Sequence, residues 1–330
     1  MVNTNWHSIF NDFKKIKVLI VGDAMIDSYM WGSINRQSRE APIPIVDIEK
    51  YEKRLGGAAN VASQIKALGA TPLLCSVIGN EDKGFFDLMK HENLSTRGIL
   101  QEERKTTIKT RIISENKQQL RVDEEDTFPI INESDFIKNS INLMSNVHVV
   151  IFQDYNKGVL TKNVINSLVE FATNKQIPTL VDPKKENYWQ YKGVNLFKPN
   201  SIELIESNSK KEVLSLENIS MIVNEQRKQL NAKLFLVTLS EKGVFIQTEK
   251  EEHHYSAYNR KIIDVSGAGD AVIATAALAL AQKLDCHILA QLANLAGGLS
   301  CENVGVDPID RENLLNEAIR LVQNRKIYNA

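Results

Sequence analysis

Apolar positions along this chain come in short solid runs, separated by stretches with helical spacing. KVLIVGD (17–23), TPLLCSVIG (71–79), HVVIFQD (148–154), IPTLVDP (177–183) and AKLFLVTLS (232–240) are compact and mostly aliphatic. Solid runs rather than strict alternation are expected of strands covered on both faces. Between them, GGAANVASQIKALGA (56–70), TKNVINSLVEFATNK (161–175) and two Ala-rich stretches at about 268–283 and 285–300 read as helices. Strands alternating with helices predict parallel βαβ units in a layered α/β domain.

Two segments break that rhythm. Residues 33–51, including PIPIVDIEKY, look extended and carry two prolines, and TTIKTRIISENKQQLRVD (106–123) reads as a hairpin around ENKQ. Their strands mix apolar and polar faces, which suits a small antiparallel flap beside the main sheet. The expectation is a single domain over 1–330 with an accessory β lid at about 33–51 and 106–123.

Composition changes little in this picture and removes several function classes. The chain has 330 residues, 43% of them hydrophobic and 25% charged, the balance of a globular protein. Forty basic and 41 acidic residues leave a formal net charge of −1, without the basic excess of a phosphate-backbone binder, so nucleic acid is disfavoured as a partner. Cys75, Cys286 and Cys301 are far apart in sequence and form neither a CxxC pair nor a disulfide framework; they read as buried small hydrophobes. The N-terminus lacks the apolar core of a signal peptide, and no run approaches about 18 apolar residues. The expectation is a cytoplasmic protein with no membrane partner.

Glycine is scarce, at 16 residues, yet six of these sit in Gly56-Gly57, Gly267-Ala268-Gly269 and Gly297-Gly298. Such pairs mark places where the backbone must approach something closely. The strongest is VSGAGD (265–270), a polar turn leading straight into an Ala-rich helix. Backbone N–H groups of Ser266 to Gly269 at that helix start would face an anion such as phosphate. Asp270, in the first turn, either caps the helix or accepts a proton from a hydroxyl attacking the phosphate. Other nucleotide and hydrolase signatures (GxxxxGK[ST], the full GxGxxG fingerprint, HExxH, GxSxG) are not met.

VSGAGD, with GGAAN (56–60) and KPNSIE (198–203), resembles the ribokinase-like sugar kinases, the carbohydrate kinases of the phosphofructokinase-B type. The resemblance runs from about residue 17 to 310. GDAMIDSYMWGSINRQSREAPIPIV (22–46), KTRIISENKQQLRVDEE (109–125), QDYNKG (153–158) and VDPKKENYWQYKG (181–193) are similar to the heptose 7-phosphate kinases within that family. The resemblance implies a ribokinase-like three-layer α/β/α fold with a mostly parallel sheet. It implies Asp270 as catalytic base and Gly267, Ala268 and Gly269 as the anion hole for the γ-phosphate. Asn200 and Glu203 match an NxxE motif that organises Mg²⁺ and phosphates, with Glu203 acting on the metal through water. Thr238, Ser240, Lys242 and Gly243 match the nucleotide-side loop; Asp264 and Ser266 fall on the nucleotide side, and Asn294 on a helix bordering adenine. Asp23, Asp27, Gly57 and Asn60 match sugar-side positions. Lys109, Arg111 and Arg121 fall on the lid hairpin, where cations would meet the sugar phosphate.

Plainer readings stand beside these. The three lid cations share a strand parity and equally suit a solvated face; Asp23 or Asp27 suits a turn, and Asn60 a helix cap. Asp154, Lys157, Asp182 and Lys184 follow carboxyl ends of strands, where α/β ligands bind, but also suit loop salt bridges. His253 and His254 read as surface residues in a charged loop. Ser266 stands where the family usually has threonine, Ala271 where threonine is common, and Gln153 where a small residue precedes Asp154. No HxGH motif occurs, so no nucleotidyltransferase domain is expected.

The resemblance implies ATP-dependent phosphorylation of D-glycero-D-manno-heptose 7-phosphate at the anomeric hydroxyl, giving the 1,7-bisphosphate for ADP-heptose synthesis. ATP and Mg²⁺ would be needed, with room for a monovalent cation such as K⁺. Exposed lid edges suggest a homodimer. The alternatives are another sugar or nucleoside kinase on the same fold, or a sugar or nucleotide sensor without turnover.

Overall fold

The computed structural model describes residues 5–115, 117–208 and 215–328. Its main sheet is built from β1 (Lys17–Gly22), β4 (Thr71–Gly79), β5 (Gly98–Glu102), β8 (Val149–Gln153), β9 (Thr179–Asp182), β10 (Leu196–Phe197), β11 (Leu234–Thr238), β12 (Val244–Gln247) and β13 (Glu252–Tyr255). The order is β13-β12-β11-β10-β9-β8-β1-β4-β5, and β5 through β11 pair in parallel. Only β12 runs against the others, pairing antiparallel with β11 and, through a hairpin, with β13 at the edge.

Both faces are covered, and successive residues of one strand enter opposite cores. Val18 and Ile20 of β1, with Val149 and Ile151 of β8, join one core. Leu19, Val21, Val150 and Phe152 join the other. The first core is closed by α2 (Ala58–Ala67), α8 (Ala268–Ala281) and α9 (Cys286–Ser300) with α1 (Trp6–Asp12), α3 (Phe85–His91) and α10 (Arg311–Tyr328). The second is closed by α4 (Glu133–Met144), α5 (Lys162–Asn174), α6 (Ser201–Glu206) and α7 (Ile219–Leu230). The solid apolar runs are therefore two interleaved inward faces, as read from the sequence.

A second, four-stranded sheet has the order β3-β2-β6-β7, from β2 (Ala24–Gln37), β3 (Pro44–Gly57), β6 (Ile108–Ser114) and β7 (Lys117–Glu124). The β2–β3 hairpin is longer than the expected 33–51. It begins at Ala24 and ends at Gly57, and its base is buried (Met25, Ile26, Tyr29 and Leu55). Helix α2 accordingly starts at Ala58 and not at Gly56. The β6–β7 hairpin matches expectation, though its turn residue Asn116 lies outside the described residues. Tyr29 seats this sheet on the main body: its hydroxyl accepts the Val306 N–H at 3.1 Å. Arg54 adds bonds to the Val304 carbonyl at 2.9 Å and the Asp307 carboxylate at 2.8 Å.

Candidate active site

The carboxyl ends of the central strands and the start of α8 meet under the second sheet. Gly267, the residue before α8, has φ 79°, a left-handed conformation that opens the helix abruptly. A side chain there would crowd the amide of Asn60, since a Cβ would lie 3.2 Å from its Nδ2. The turn differs in detail from the expected anion hole. The Ser266 N–H and hydroxyl are both taken by Asp264 Oδ1 at 2.9 Å, and the Ala268 N–H reaches the Val265 carbonyl at 3.3 Å. Among the described residues the N–H groups of Gly267, Gly269 and Asp270 have no protein acceptor. An anion at this helix start would therefore meet a narrower set of donors than Ser266 to Gly269, because Asp264 locks the turn from inside. Asp264 also accepts the Gly305 N–H at 2.8 Å. Burial pushes its pKa up, but these hydrogen bonds and the Arg111 charge more than offset that, and the net direction is down.

Asp270 is almost fully buried, at 3% exposure. Its Oδ2 accepts from Asn60 Nδ2 at 2.6 Å, and its Oδ1 accepts from Tyr155 Oη at 2.9 Å and Gln153 Nε2 at 3.1 Å. It is not a helix cap. Burial pushes its pKa up to about 7; Asn60 and Tyr155 pull it down by hydrogen bonding, as does the Lys198 charge, while Asp182 pushes it further up. A carboxylate poised there suits a general base at neutral pH. Asn60 does not cap α2 either, since its amide is committed to Asp270. Gln153 also donates to Asp182 at 3.2 Å, and Asp182 forms a buried ion pair with Lys198 at 2.9 Å. The amide that stands in place of a small residue thus ties the candidate base to a neighbouring ion pair. Gln153 and Tyr155 gave no sequence signal of this role; the sequence marked only the QDYNKG motif that holds them and the strand-end position of its Asp154 and Lys157.

Sugar-side candidates separate into two kinds. Asp27, buried in β2, pairs with Arg111 of β6. A Cβ on Gly56 would lie 2.1 Å from Asp27 Oδ2, and a Cβ on Gly57 would lie 2.4 Å from the Asp23 carbonyl oxygen, so both glycines are required by close approach. Asp23, by contrast, spends its carboxylate on the chain itself. It accepts the N–H groups of Tyr155 (2.8 Å), Lys157 (3.1 Å) and Val159 (3.1 Å), ordering the QDYNKG loop. Burial raises its pKa, with those three bonds opposing, and it sits beside Asp154, whose pKa burial also raises. Asp154 is bound to Tyr191 at 2.6 Å and Asn187 at 3.0 Å, a structural role.

The pairing registers put Lys109, Arg111, Arg121 and Asp123 on one face of the second sheet, with Asp27 and Tyr29. Lys109 Nζ lies 5.5 Å from the Tyr155 ring centre, near the candidate base's own partner. Burial, followed by repulsion from Lys157, lowers its pKa. Arg111 also stacks over Tyr29 at 5.5 Å. Arg121 is different: it is exposed and paired with Asp123 at 2.9 Å.

Nucleotide-side candidates are also divided. Asn200 and Glu203 form a capping box on α6, each side chain accepting the other's backbone N–H at 2.9 Å. Glu203 additionally holds Lys184. Thr238 ends β11 and bridges to Asn200. Ser240 and Lys242 line a cavity of about 200 Å³ with Ser201, Ile205 and Leu239, apart from Asp264, Ser266 and Asn294. Gly243 has φ 87°, and a Cβ would lie 2.0 Å from the Tyr255 carbonyl. Asn294 donates to the Ser256 carbonyl at 2.8 Å, holding the segment after β13. Among the described residues no helix is long and apolar enough to cross a membrane.

A three-layer α/β/α body, a glycine turn at a helix start and a buried carboxylate beneath a small sheet are suited to phosphoryl transfer. The chain belongs to the pfkB family of carbohydrate kinases, whose profile matches residues 15–312, and it is a sugar kinase. Its curated relatives include proteins named Bifunctional protein HldE. That of Campylobacter curvus is 36% identical over 298 residues, covering 88% of this chain and 63% of the relative. That of Koribacter versatilis is 35% identical over 314 residues, covering 94% and 64%. The chain thus spans a little under two thirds of the length of these relatives. Among solved structures, the potassium complex of phosphofructokinase-2 from Escherichia coli superposes with a TM-score of 0.78 at 17% identity, covering 93% of this chain and 99% of that one. Arabidopsis thaliana ribokinase with ribose and ATP gives a TM-score of 0.72 at 16% identity, covering 92% and 98%. These likenesses carry the fold, which is ribokinase-like. The family implies a sugar and ATP as substrates and a divalent metal.

Proposed function

We propose that this chain transfers the γ-phosphoryl group of ATP to the anomeric hydroxyl of D-glycero-D-manno-heptose 7-phosphate, giving the 1,7-bisphosphate in ADP-heptose synthesis. The observation that carries the reading is the Asp270 carboxylate, buried beside unpaired N–H groups of a glycine turn and oriented by Asn60, Tyr155 and Gln153. Asp270 takes the proton of the attacking hydroxyl as the bond to phosphorus forms, and the free N–H groups of Gly267 and Gly269 meet the charge on the transferring group. Resemblance to the heptose kinases and similarity to proteins named HldE support the choice of sugar. Lys109 and Arg111 support a substrate that carries its own phosphate, since both cations sit on the sheet face that bears Asp27.

Mg²⁺ on the nucleotide phosphates would supply charge neutralisation. Glu203 suits that ion through water only, since one carboxylate oxygen accepts the Asn200 N–H and the other holds Lys184. A monovalent cation such as K⁺ fits the same proposal; a potassium complex is known for the Escherichia coli phosphofructokinase-2.

The second sheet acts as a lid over the sugar. Its outer face carries a row across all four strands, Tyr51, Met30, Ile112 and Leu120, and the exposed Val122. A second copy's lid would cover this row, giving a homodimer. Light scattering that finds a monomer at working concentration removes the dimer.

The test is ADP release with Mg-ATP on heptose 7-phosphate beside ribose, fructose and fructose 6-phosphate. Turnover on the heptose phosphate alone supports the reading. Turnover on another sugar keeps Asp270 and discards the substrate. No turnover on any of them, with ATP still bound, favours a sensor.

A further inference from the structure

Among the described residues, one group of four potential metal-ligating side chains comes together, and it lies apart from Asp270. Glu251, His253, Cys286 and His287 place their ligand atoms within 4.8 Å of one another. Sequence spacing hides the group, since 33 to 36 positions separate its halves. Folding joins them: Glu251 closes the β12–β13 hairpin, His253 is in β13, and Cys286 and His287 open α9. His253 therefore lies in a strand and not in the charged loop that the sequence suggested.

The geometry converges on one carboxylate. Cys286 Sγ lies 3.0 Å from Glu251 Oε1. Glu251 Oε2 lies 3.3 Å from His253 Nε2 and 3.5 Å from His287 Nε2, and the two imidazole centres are 3.9 Å apart. His287 Nδ1 meets the Tyr255 hydroxyl at 2.6 Å. The tautomer with its proton on Nδ1 donates to that hydroxyl and leaves the Nε2 lone pair aimed into the cluster. An outer partner of this kind is what a metal-ligating histidine usually has.

We propose that Glu251, His253, Cys286 and His287 bind one zinc-class divalent ion. Sulfur, two imidazole nitrogens and a carboxylate oxygen make a tetrahedral donor set for Zn²⁺, whose bond lengths put ligand atoms roughly 3.3–3.6 Å apart. The present spacings close on that with small side-chain movements. Mg²⁺ and Ca²⁺ prefer all-oxygen sets, so the site is distinct from any metal on the nucleotide. On binding, the Cys286 S–H bond breaks, its proton passes to solvent and an S–Zn bond forms, with no change in oxidation state. The ion would clip β13, the open edge of the main sheet, to the start of α9, the helix that carries Asn294.

The test uses the full chain, stripped with chelator and titrated with Co²⁺ and then Zn²⁺, read by absorption and calorimetry. The expected result is one equivalent of Co²⁺ bound with a thiolate charge-transfer band and the visible spectrum of a four-coordinate ion, displaced by Zn²⁺. Cys286→Ser should abolish the thiolate band, and Tyr255→Phe should weaken binding about 10–100-fold. His287→Ala and the exposed Glu251→Gln, with circular dichroism unchanged, should each weaken binding at least about tenfold. No stoichiometric binding, or binding kept intact in a Cys286→Ser/His287→Ala double variant, overturns the site. These readouts need no sugar turnover, so they stand or fall apart from the proposed kinase substrate.

Discussion

Asp270→Asn separates a catalytic carboxylate from a structural one. The parent carboxylate is held in a nearly water-free position where burial pushes its pKa from 3.8 up to about 7. That displacement corresponds to roughly 4 kcal/mol of penalty on the ionised form. Asparagine removes the charge and keeps the shape. With its nitrogen at the Oδ2 position it donates to Asn60 Oδ1, a buried oxygen without a hydrogen-bond partner among the described residues, once the Asn60 amide rotates, while its oxygen keeps accepting from Tyr155 and Gln153. The variant should therefore fold. The sign of its stability change follows from linkage. Because the folded pKa is raised, Asp270's favourable contribution is fully present below about 3.8 and is lost as pH rises through about 7. Asp270→Asn should thus match its parent near pH 3, gain on it as pH rises from about 4 to about 7, and be the more stable protein at pH 8. Its turnover should fall about 10²–10⁴-fold, the usual share of a general base. Thermal melts at the two pH values and coupled ADP-release assays measure both. A variant with parental turnover, or one less stable than its parent at pH 8, refutes the reasoning.

The same pKa predicts that the parent's kcat/KM climbs with pH through about 7, and that this limb is absent from residual Asp270→Asn activity; a flat parental profile would argue for another base. Arg111→Ala should lower kcat/KM for a phosphorylated sugar about 10–100-fold, the value of a charge-assisted hydrogen bond, whereas Arg121→Ala, already paired with Asp123 and exposed, should change it less than about threefold. Steady-state kinetics on both variants check this, and equal losses would contradict it. Gly57→Ala should destabilise the fold by at least about 1–3 kcal/mol in urea unfolding, since φ 58° and a Cβ 2.4 Å from the Asp23 carbonyl are both unfavourable. Asn200→Ala removes half of the capping box and should lower stability by about 1 kcal/mol in the same assay, with a rise in the KM for ATP if α6 supports the nucleotide.

The order of strands and helices was legible because burial on two faces leaves a local mark. Runs such as VLIVG and VVIF have no polar position to spare, and β1 and β8 fall within a residue of the expected bounds. The glycine turn before α8 was legible for a related reason: a positive φ at Gly267 demands a residue type that the chain otherwise uses sparingly. The shared face of Lys109 and Arg111 also follows from strand periodicity, whereas Arg121 joins them only through the register shift at Ile112/Ile113. What those residues do with their polar atoms was not legible, because partners are chosen across long separations. Asp23 and Asp27 look alike in sequence, four positions apart. Only the packed chain turns the first toward the N–H groups of 155–159 and the second toward Arg111. The base of the β2–β3 hairpin was not legible because tertiary cover, and not local pattern, decides whether Met25 and Leu55 are buried. Likewise Gln153 acquires its bonds to Asp182 and Asp270, and Cys286 its histidine and glutamate neighbours, only when distant segments close on one another. Local sequence determined where the backbone could run and which faces had to be buried; the tertiary structure decided which polar atoms meet, because hydrogen bonds and ion pairs are set by geometry over a few ångströms and carry no period along the chain.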